Sequence, residues 1–256
     1  MNDFAEKQGC VLITGGTGGL GRATAELFAQ RGADVAFTFR SNTNEAAALT
    51  SVIEGLGRRS MALACDLSDS GATNAMVARF TKEFGGIHTM VHAAGPHIPQ
   101  QHLSTITPEQ FKTALLEEVA AFFNVAQASL EPLRASRGSL VAITTAATKR
   151  YPVRDALSSG TKGAVDQLVL AIAAEEGRFG VRANCVGPGM LTDGMAARLI
   201  ASGDLDDAAL EVTKRNIPLR TFGTAGDIAE AVCFLASDRA GFITGQHLSV
   251  DGGYSV

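Results

Sequence analysis

The first apolar run of the chain, CVLIT, leads without a break into TGGTGGLGRATAELF, which places Gly15, Gly19 and Gly21 between a strand and a helix. Glycines at this spacing let the backbone turn tightly and approach a pyrophosphate, while N–H groups at the helix start face its negative charge. Thr14, Thr17 and Leu20 belong to the same turn. The second strand ends in FTFRSN. A carboxylate there would accept from the adenosine ribose 2′-OH of NAD(H), whereas a cation accommodates the 2′-phosphate of NADP(H). Arg40, followed by Ser41, therefore favours NADP(H), since Asp34 lies before the strand on the wrong side. Asp66, with Leu67 beside it, follows the third strand, where its carboxylate is placed to accept from an adenine amino group. As the N-cap of the next helix it would look the same in sequence.

The elements that position these residues alternate regularly. Strands are expected at CVLIT, DVAFTF, SMALAC, TMVHA, SLVAIT, VRANCV and, late in the chain, HLSV. Helix-length segments separate them at Leu20–Arg31, Glu45–Leu56, Ala72–Phe84, Pro108–Leu133, Gly163–Phe179 and Ala225–Leu235. Such alternation builds right-handed βαβ units, hence an α/β, Rossmann-type doubly wound parallel sheet with helices on both faces. Residues 190–219 break the rhythm with a helical insert after the sixth strand. Ligands of such sheets lie outside the carboxyl ends of the strands, so the insert is expected to act as a substrate lid.

The 256 residues suit a single dinucleotide-binding domain, because single cores stop growing near 250–300 residues. The net charge of −4 with scattered basic residues argues against a nucleic-acid partner. No apolar run reaches the length of a membrane span and the N-terminus has no apolar targeting core, so a soluble, cytoplasmic protein is expected. Cys10, Cys65, Cys185 and Cys233 are far apart and show no metal or redox spacing, which reads as reduced thiols and no metal.

Taken together with VHAAG (91–95), TKGAV (161–165), VRANCVGPG (181–189) and the tail FITGQHLSVDGGYSV, these motifs make the chain resemble the short-chain dehydrogenase/reductases. The tail is most similar to bacterial 3-oxoacyl-acyl-carrier-protein reductases. The resemblance covers nearly the whole chain and implies that Ala93, Ala94, Gly95, Pro188 and Gly189 also line the cofactor site. In that family a tyrosine, a lysine, a serine and an asparagine cooperate, the lysine holding the nicotinamide ribose and lowering the pKa of a phenol that protonates the substrate. Lys162 matches the lysine and Thr145 falls on the serine position, but Ser158 stands at the tyrosine and Glu118 at the asparagine. An aliphatic alcohol is too weak an acid and too short to replace a phenol. The family's 2,4-dienoyl-CoA reductases carry the same Ser-x-x-x-Lys arrangement, although the extra tyrosine they use aligns with Ala147 here.

Substitute acids are available. His97, two residues past Gly95, titrates near 6.5 if unperturbed, and Tyr151 lies in a loop that should rim the pocket. Glu118 can pair with Lys162 or carry a proton, and KRYPVR (149–154) brings three cations to the rim, where a CoA or carrier-protein phosphate can dock. Each has a plainer explanation: a wall histidine, a packed loop aromatic, a structural carboxylate, a solvated charge run. The expected function is an NADP(H)-dependent oxidoreductase that transfers hydride to an activated carbonyl or conjugated enoyl thioester with a non-standard proton donor. The alternative is a cofactor-binding, non-catalytic subunit that supports a competent paralogue. The apolar stretches FKTALLEEVAAFFNVA and AVDQLVLAIAA point to a homo-oligomer, a tetramer or dimer.

Overall fold

The computed structural model describes residues 2–96, 98–193 and 207–256, with backbone alone over 207–210. Seven strands form one sheet in the order β3-β2-β1-β4-β5-β6-β7, every pair parallel. They are β1 (Cys10–Thr14), β2 (Asp34–Phe39), β3 (Ser60–Ala64), β4 (Ile87–His92), β5 (Ser139–Ile143), β6 (Arg182–Pro188) and β7 (His247–Val250). The helices are α1 (Gly19–Gln30), α2 (Thr43–Gly55), α3 (Ser70–Phe84), α4 (Pro108–Ala114), α5 (Ala121–Ser136), α6 (Ala156–Glu176), α7 (Asp207–Arg215) and α8 (Ala225–Ala236).

Strands covered on both faces are mostly apolar, and β1, β4 and β5 are buried at every position, their polar residues Thr14, His88, Thr89, His92 and Ser139 being hydrogen-bonded there. Two apolar layers result. Phe28, Phe37, Leu49 and Val232 fill one face, and Phe80, Met90, Phe122 and Val169 fill the other. The strand order reverses between β1 and β4, and this switch point is where the crevice of a doubly wound sheet opens.

Two helices differ from the sequence expectation, and both differences bear on the site. The segment expected as one helix over 108–133 runs on to Ser136 but contains a π turn at Leu115–Ala120, which holds Glu117 and Glu118. A π turn inside an α-helix is rare and frequently marks a functional position. The helix expected to start at Gly163 starts two turns earlier, at Ala156. Ser158 and Lys162 therefore sit on successive turns of α6 rather than in a loop before it. Of the expected lid, 190–219, residues 194–206 lie outside the described residues, while α7 follows them and Leu191 forms an isolated bridge with Gly223.

Candidate active site

A cleft of about 270 Å³, partly open to solvent, runs across the carboxyl ends of β1, β2, β3 and β4. Gly15, Thr17, Arg40, Asp66, Leu67, Ala93, Ala94 and Gly95 all line it. The three motif glycines have different duties. Gly15 has φ +69, and a Cβ there would stand 2.7 Å from Ala94 Cα. A Cβ on Gly21 would stand 2.2 Å from the Gly15 carbonyl oxygen, so this glycine lets α1 pack against the turn. Gly19 has nothing within 4 Å of where its Cβ would be. It is exposed at the start of α1, whose first turn carries no acidic residue and no side-chain cap. Free helical N–H groups facing open space at a glycine fit a pyrophosphate.

Thr14 has a different task from the one expected. It is fully buried, and its hydroxyl accepts from the Ala93 and Ala94 amides at 3.2 Å each. With its lone pairs so engaged, the hydroxyl donates to His92 Nδ1 at 3.0 Å, leaving the ring proton on Nε2. Burial, together with the Lys162 charge, lowers the His92 pKa to about 3, so the ring is neutral and structural. Thr14 and His92 thus tie β1 to the loop that ends the cleft. Pro188 is buried as well, and the Gly189 amide donates to the Val250 carbonyl at 3.0 Å, with Asp251 Cα only 2.7 Å from an added Cβ.

At the adenosine end, Arg40 is three-quarters exposed and pairs with Glu117 at 3.2 Å. Glu117 was missed in the sequence because neighbouring residues on a helix diverge by about 100°, and nothing local indicates that one member of an adjacent Glu pair meets β2. Ser41 is exposed next to Asn42, which caps α2 through the Glu45 amide. Asp66 accepts from the Ser68 amide at 3.0 Å and hydroxyl at 2.7 Å, which holds its carboxyl below the usual range. The N-cap of α3 is Asp69, so Asp66 is not needed as a helix cap.

The inner end of the cleft closes at Gly95. A Cβ there would stand 3.2 Å from Glu118 Oε2 and 3.7 Å from Lys162 Nζ. Lys162 donates to Glu118 Oε1 at 2.7 Å, with side-chain exposures of 16% and 1%. The second oxygen of Glu118 is buried without a hydrogen-bond partner. An ion pair this buried is an exacting arrangement, since removal of either partner strands a charge. Thr145 follows β5 in extended conformation, its hydroxyl accepting from the Ala147 amide at 3.2 Å.

The substitute acids separate clearly. His97 lies outside the described residues. Tyr151 is 54% exposed and makes no hydrogen bond among the described residues. Of the rim cations, Arg150 is engaged by the C-terminal segment, donating to the Tyr254 carbonyl at 2.7 Å and stacking on its ring, which leaves Lys149 and Arg154. One acid the sequence reading passed over does meet the site. Asp155 immediately precedes α6; burial pushes its carboxyl up to about 6, although the Lys162 charge, the Ser158 hydroxyl and the Ser159 amide favour the anion.

Among the described residues, no group of three or more His, Cys, Asp or Glu is placed to hold a metal. None of the described helices is long and apolar enough to cross a membrane. All four cysteines are free, and burial raises the pKa of Cys10 to about 12.

Sheet order, glycine turn and the lysine at the end of the cleft define a nucleotide-dependent oxidoreductase fold of the short-chain type. A family profile described as "Enoyl-(Acyl carrier protein) reductase" matches residues 15–255, and the chain belongs to that family, within the short-chain dehydrogenase/reductases. It is 33% identical to the L-rhamnose 1-dehydrogenase (NAD(P)(+)) of a Sphingomonas species, with 96% of each chain covered. It is 31% identical to a 3-oxoacyl-acyl-carrier-protein reductase of Staphylococcus epidermidis, over 94% of this chain and 97% of that one. A short-chain dehydrogenase of Burkholderia cenocepacia, solved in complex with NADP, superposes with a TM-score of 0.89 at 28% identity over 98% of this chain and all of the other.

Proposed function

We propose that the chain is an NADP(H)-dependent oxidoreductase that reduces an activated carbonyl or a conjugated enoyl thioester without a phenolic acid. The observation that carries this reading is the Lys162–Glu118 pair at the inner end of a glycine-walled cleft, with an aliphatic hydroxyl at position 158. The cofactor, when bound, supplies the hydride. Gly19 and the start of α1 would hold its pyrophosphate, and Arg40 would hold the 2′-phosphate once released from Glu117. Lys162 would hold the ribose next to the nicotinamide, its position fixed by Glu118. Thr145 and Ser158 would each donate a hydrogen bond to the substrate oxygen, polarising it without protonating it outright. Such a pair suits a substrate that is already electrophilic. The related NADP complex and the NAD(P)-dependent relative agree with this cofactor class. Lys149 and Arg154 would meet the phosphates of a CoA or carrier-protein handle.

A second reading is a cofactor-binding subunit without turnover; it is favoured by the fact that Lys162 is already neutralised by a buried carboxylate. An NADPH-oxidation screen with acetoacetyl-CoA, 2,4-hexadienoyl-CoA and 9,10-phenanthrenequinone separates the two. Turnover of one of them is expected. NADPH binding with no turnover of any would favour the second reading.

A further inference from the structure

We infer that Glu118 sets the balance between the two oxidation states of the bound cofactor, favouring the oxidised form and so making the reduced form a stronger hydride donor. The inference rests on the cofactor-binding half of the reading above. Loss of hydride removes two electrons and one proton together, and the nicotinamide ring passes from neutral to a single positive charge. Ionised groups at the inner end of the cleft therefore act on one form and hardly on the other.

A lysine alone at that end would disfavour the oxidised ring. Here the Lys162 ammonium is matched by the Glu118 carboxylate at 2.7 Å, and both side chains are largely withdrawn from solvent. Charges held this way are screened little by water or salt. The lysine engages only half of the carboxylate. Oε1 accepts from Lys162 Nζ, whereas Oε2 is buried and has no hydrogen-bond partner. That unpaired oxygen lies against Gly95, which lines the cleft, at 3.2 Å from where a Cβ would stand, and Lys162 Nζ is farther at 3.7 Å. Gly95 has no side chain to intervene, so the carboxylate acts on the cleft across main chain alone. A buried carboxylate oxygen without a partner is unfavourable unless something compensates its charge. A cationic ring bound in the cleft would compensate it through the field, without a hydrogen bond.

The π turn explains how this charge comes to be there. Glu117 and Glu118 are adjacent in sequence, yet Glu117 pairs with Arg40 just after β2 and Glu118 with Lys162 on α6. One turn thus matches both cations that the cofactor would touch. At position 118 the family resemblance leads one to expect a neutral asparagine, and the glutamate adds a full negative charge in its place. The effect suits a site without a phenol. Where a strong acid no longer assists from the substrate side, negative charge placed in advance near the ring that turns positive assists from the cofactor side.

The test measures binding of both cofactor forms to the full chain at pH 8, where Asp155, pushed up to about 6, is ionised. NADPH is followed by its own fluorescence and NADP⁺ by displacement of NADPH. The quantity read is the Kd of NADP⁺ divided by that of NADPH, because a loosened fold weakens both forms and leaves their ratio alone. Glu118→Gln keeps the shape and an acceptor for Lys162 but removes the charge. It should raise the ratio about tenfold, which for a two-electron couple makes the bound potential about 30 mV more positive. Lys162→Met, which leaves the carboxylate alone, should weaken NADPH binding and lower the ratio. Glu118→Gln combined with Lys162→Met carries neither charge and should bring the ratio back to within about threefold of the unmodified chain. An unchanged ratio in Glu118→Gln overturns the inference. If Glu118→Gln does not fold, Lys162→Met and the double variant decide, and equal ratios in those two overturn it. No turnover is needed, so a ratio that moves as stated supports the inference even where no screen probe reacts. A chain that binds neither NADPH nor NADP⁺ overturns the cofactor reading and the inference together.

Discussion

Arg40 and Glu117 show how one residue pair can set cofactor choice. Arg40 is the cation that would meet a 2′-phosphate, yet in the free chain it is held by Glu117 across the cleft. Charge-assisted contacts contribute about 1.5–3 kcal/mol, so Arg40→Asp should lower NADPH affinity by about 10- to 10²-fold and favour NADH. Glu117→Gln should tighten NADPH and leave NADH nearly unchanged, because it frees Arg40 and removes a repelling carboxylate. Fluorescence titration with the two reduced cofactors measures both. His92 gives a separate prediction about stability. Its folded pKa, near 3, lies below the unfolded value of about 6.5, so between these limits the unfolded chain binds the extra proton. Stability should be fully expressed above about pH 6.5 and fall by roughly 1.4 kcal/mol per unit as pH drops toward 3. His92→Asn, which can still accept from Thr14, should flatten that acid limb in thermal melts recorded from pH 7 to 4.

The π turn and α6 carry the site at the scale of elements, and each was only partly legible beforehand. The glycine turn and the alternation of strands with helices around a parallel sheet were readable because they depend on local chemistry: a phosphate needs a close backbone, and short apolar runs alternate with helix-length segments. Lys162 was readable by motif. Its partnership with Glu118 required the π turn, which no local signal in LLEEVAAFF announces. Asp155 was hidden by a boundary error. The helix was placed from its apolar periodicity, which is clear only after Gly163, whereas the first two turns of α6 are small and polar (ALSSGTK) and lack that stripe. The same elements predict how a restored phenol would fare. Ser158→Tyr alone should increase ketone reduction by less than tenfold, because Lys162 is committed to Glu118 and is poorly placed to lower a phenol's pKa. Ser158→Tyr combined with Glu118→Asn, which returns the family's asparagine, should gain markedly more. Equal gains from the single and double variants would show that Glu118 does not govern the lysine.

At the scale of the whole molecule, four of the exposed large apolar residues lie on two neighbouring elements. Phe111, Leu116 and Phe123 are exposed on the α4–π–α5 segment, and Leu170 is exposed on α6, at fractions of 42–52%. Their neighbours Phe122, Val125 and Val169 are fully buried against the sheet, so each helix presents an apolar face inward and a second one outward. A surface helix of a monomer normally turns polar on its outer side, and an outward apolar face usually marks a protein contact. The arrangement fits a symmetric pairing of two copies across these helices, because one self-complementary patch serves both partners. The same segment carries Glu118, and α6 carries Ser158 and Lys162, so the contact would stiffen the elements that hold the site. Multi-angle light scattering at micromolar concentration should report a dimer or tetramer. Leu116→Glu with Phe123→Glu should shift it toward monomer, because each charge would have to be buried unpaired in the contact. If the outer faces merely tolerate exposure, both proteins will scatter as monomers with similar melting temperatures. If the contact supports the site, the charged variant will also melt lower and bind NADPH more weakly, although neither substituted residue lies in the cofactor cleft.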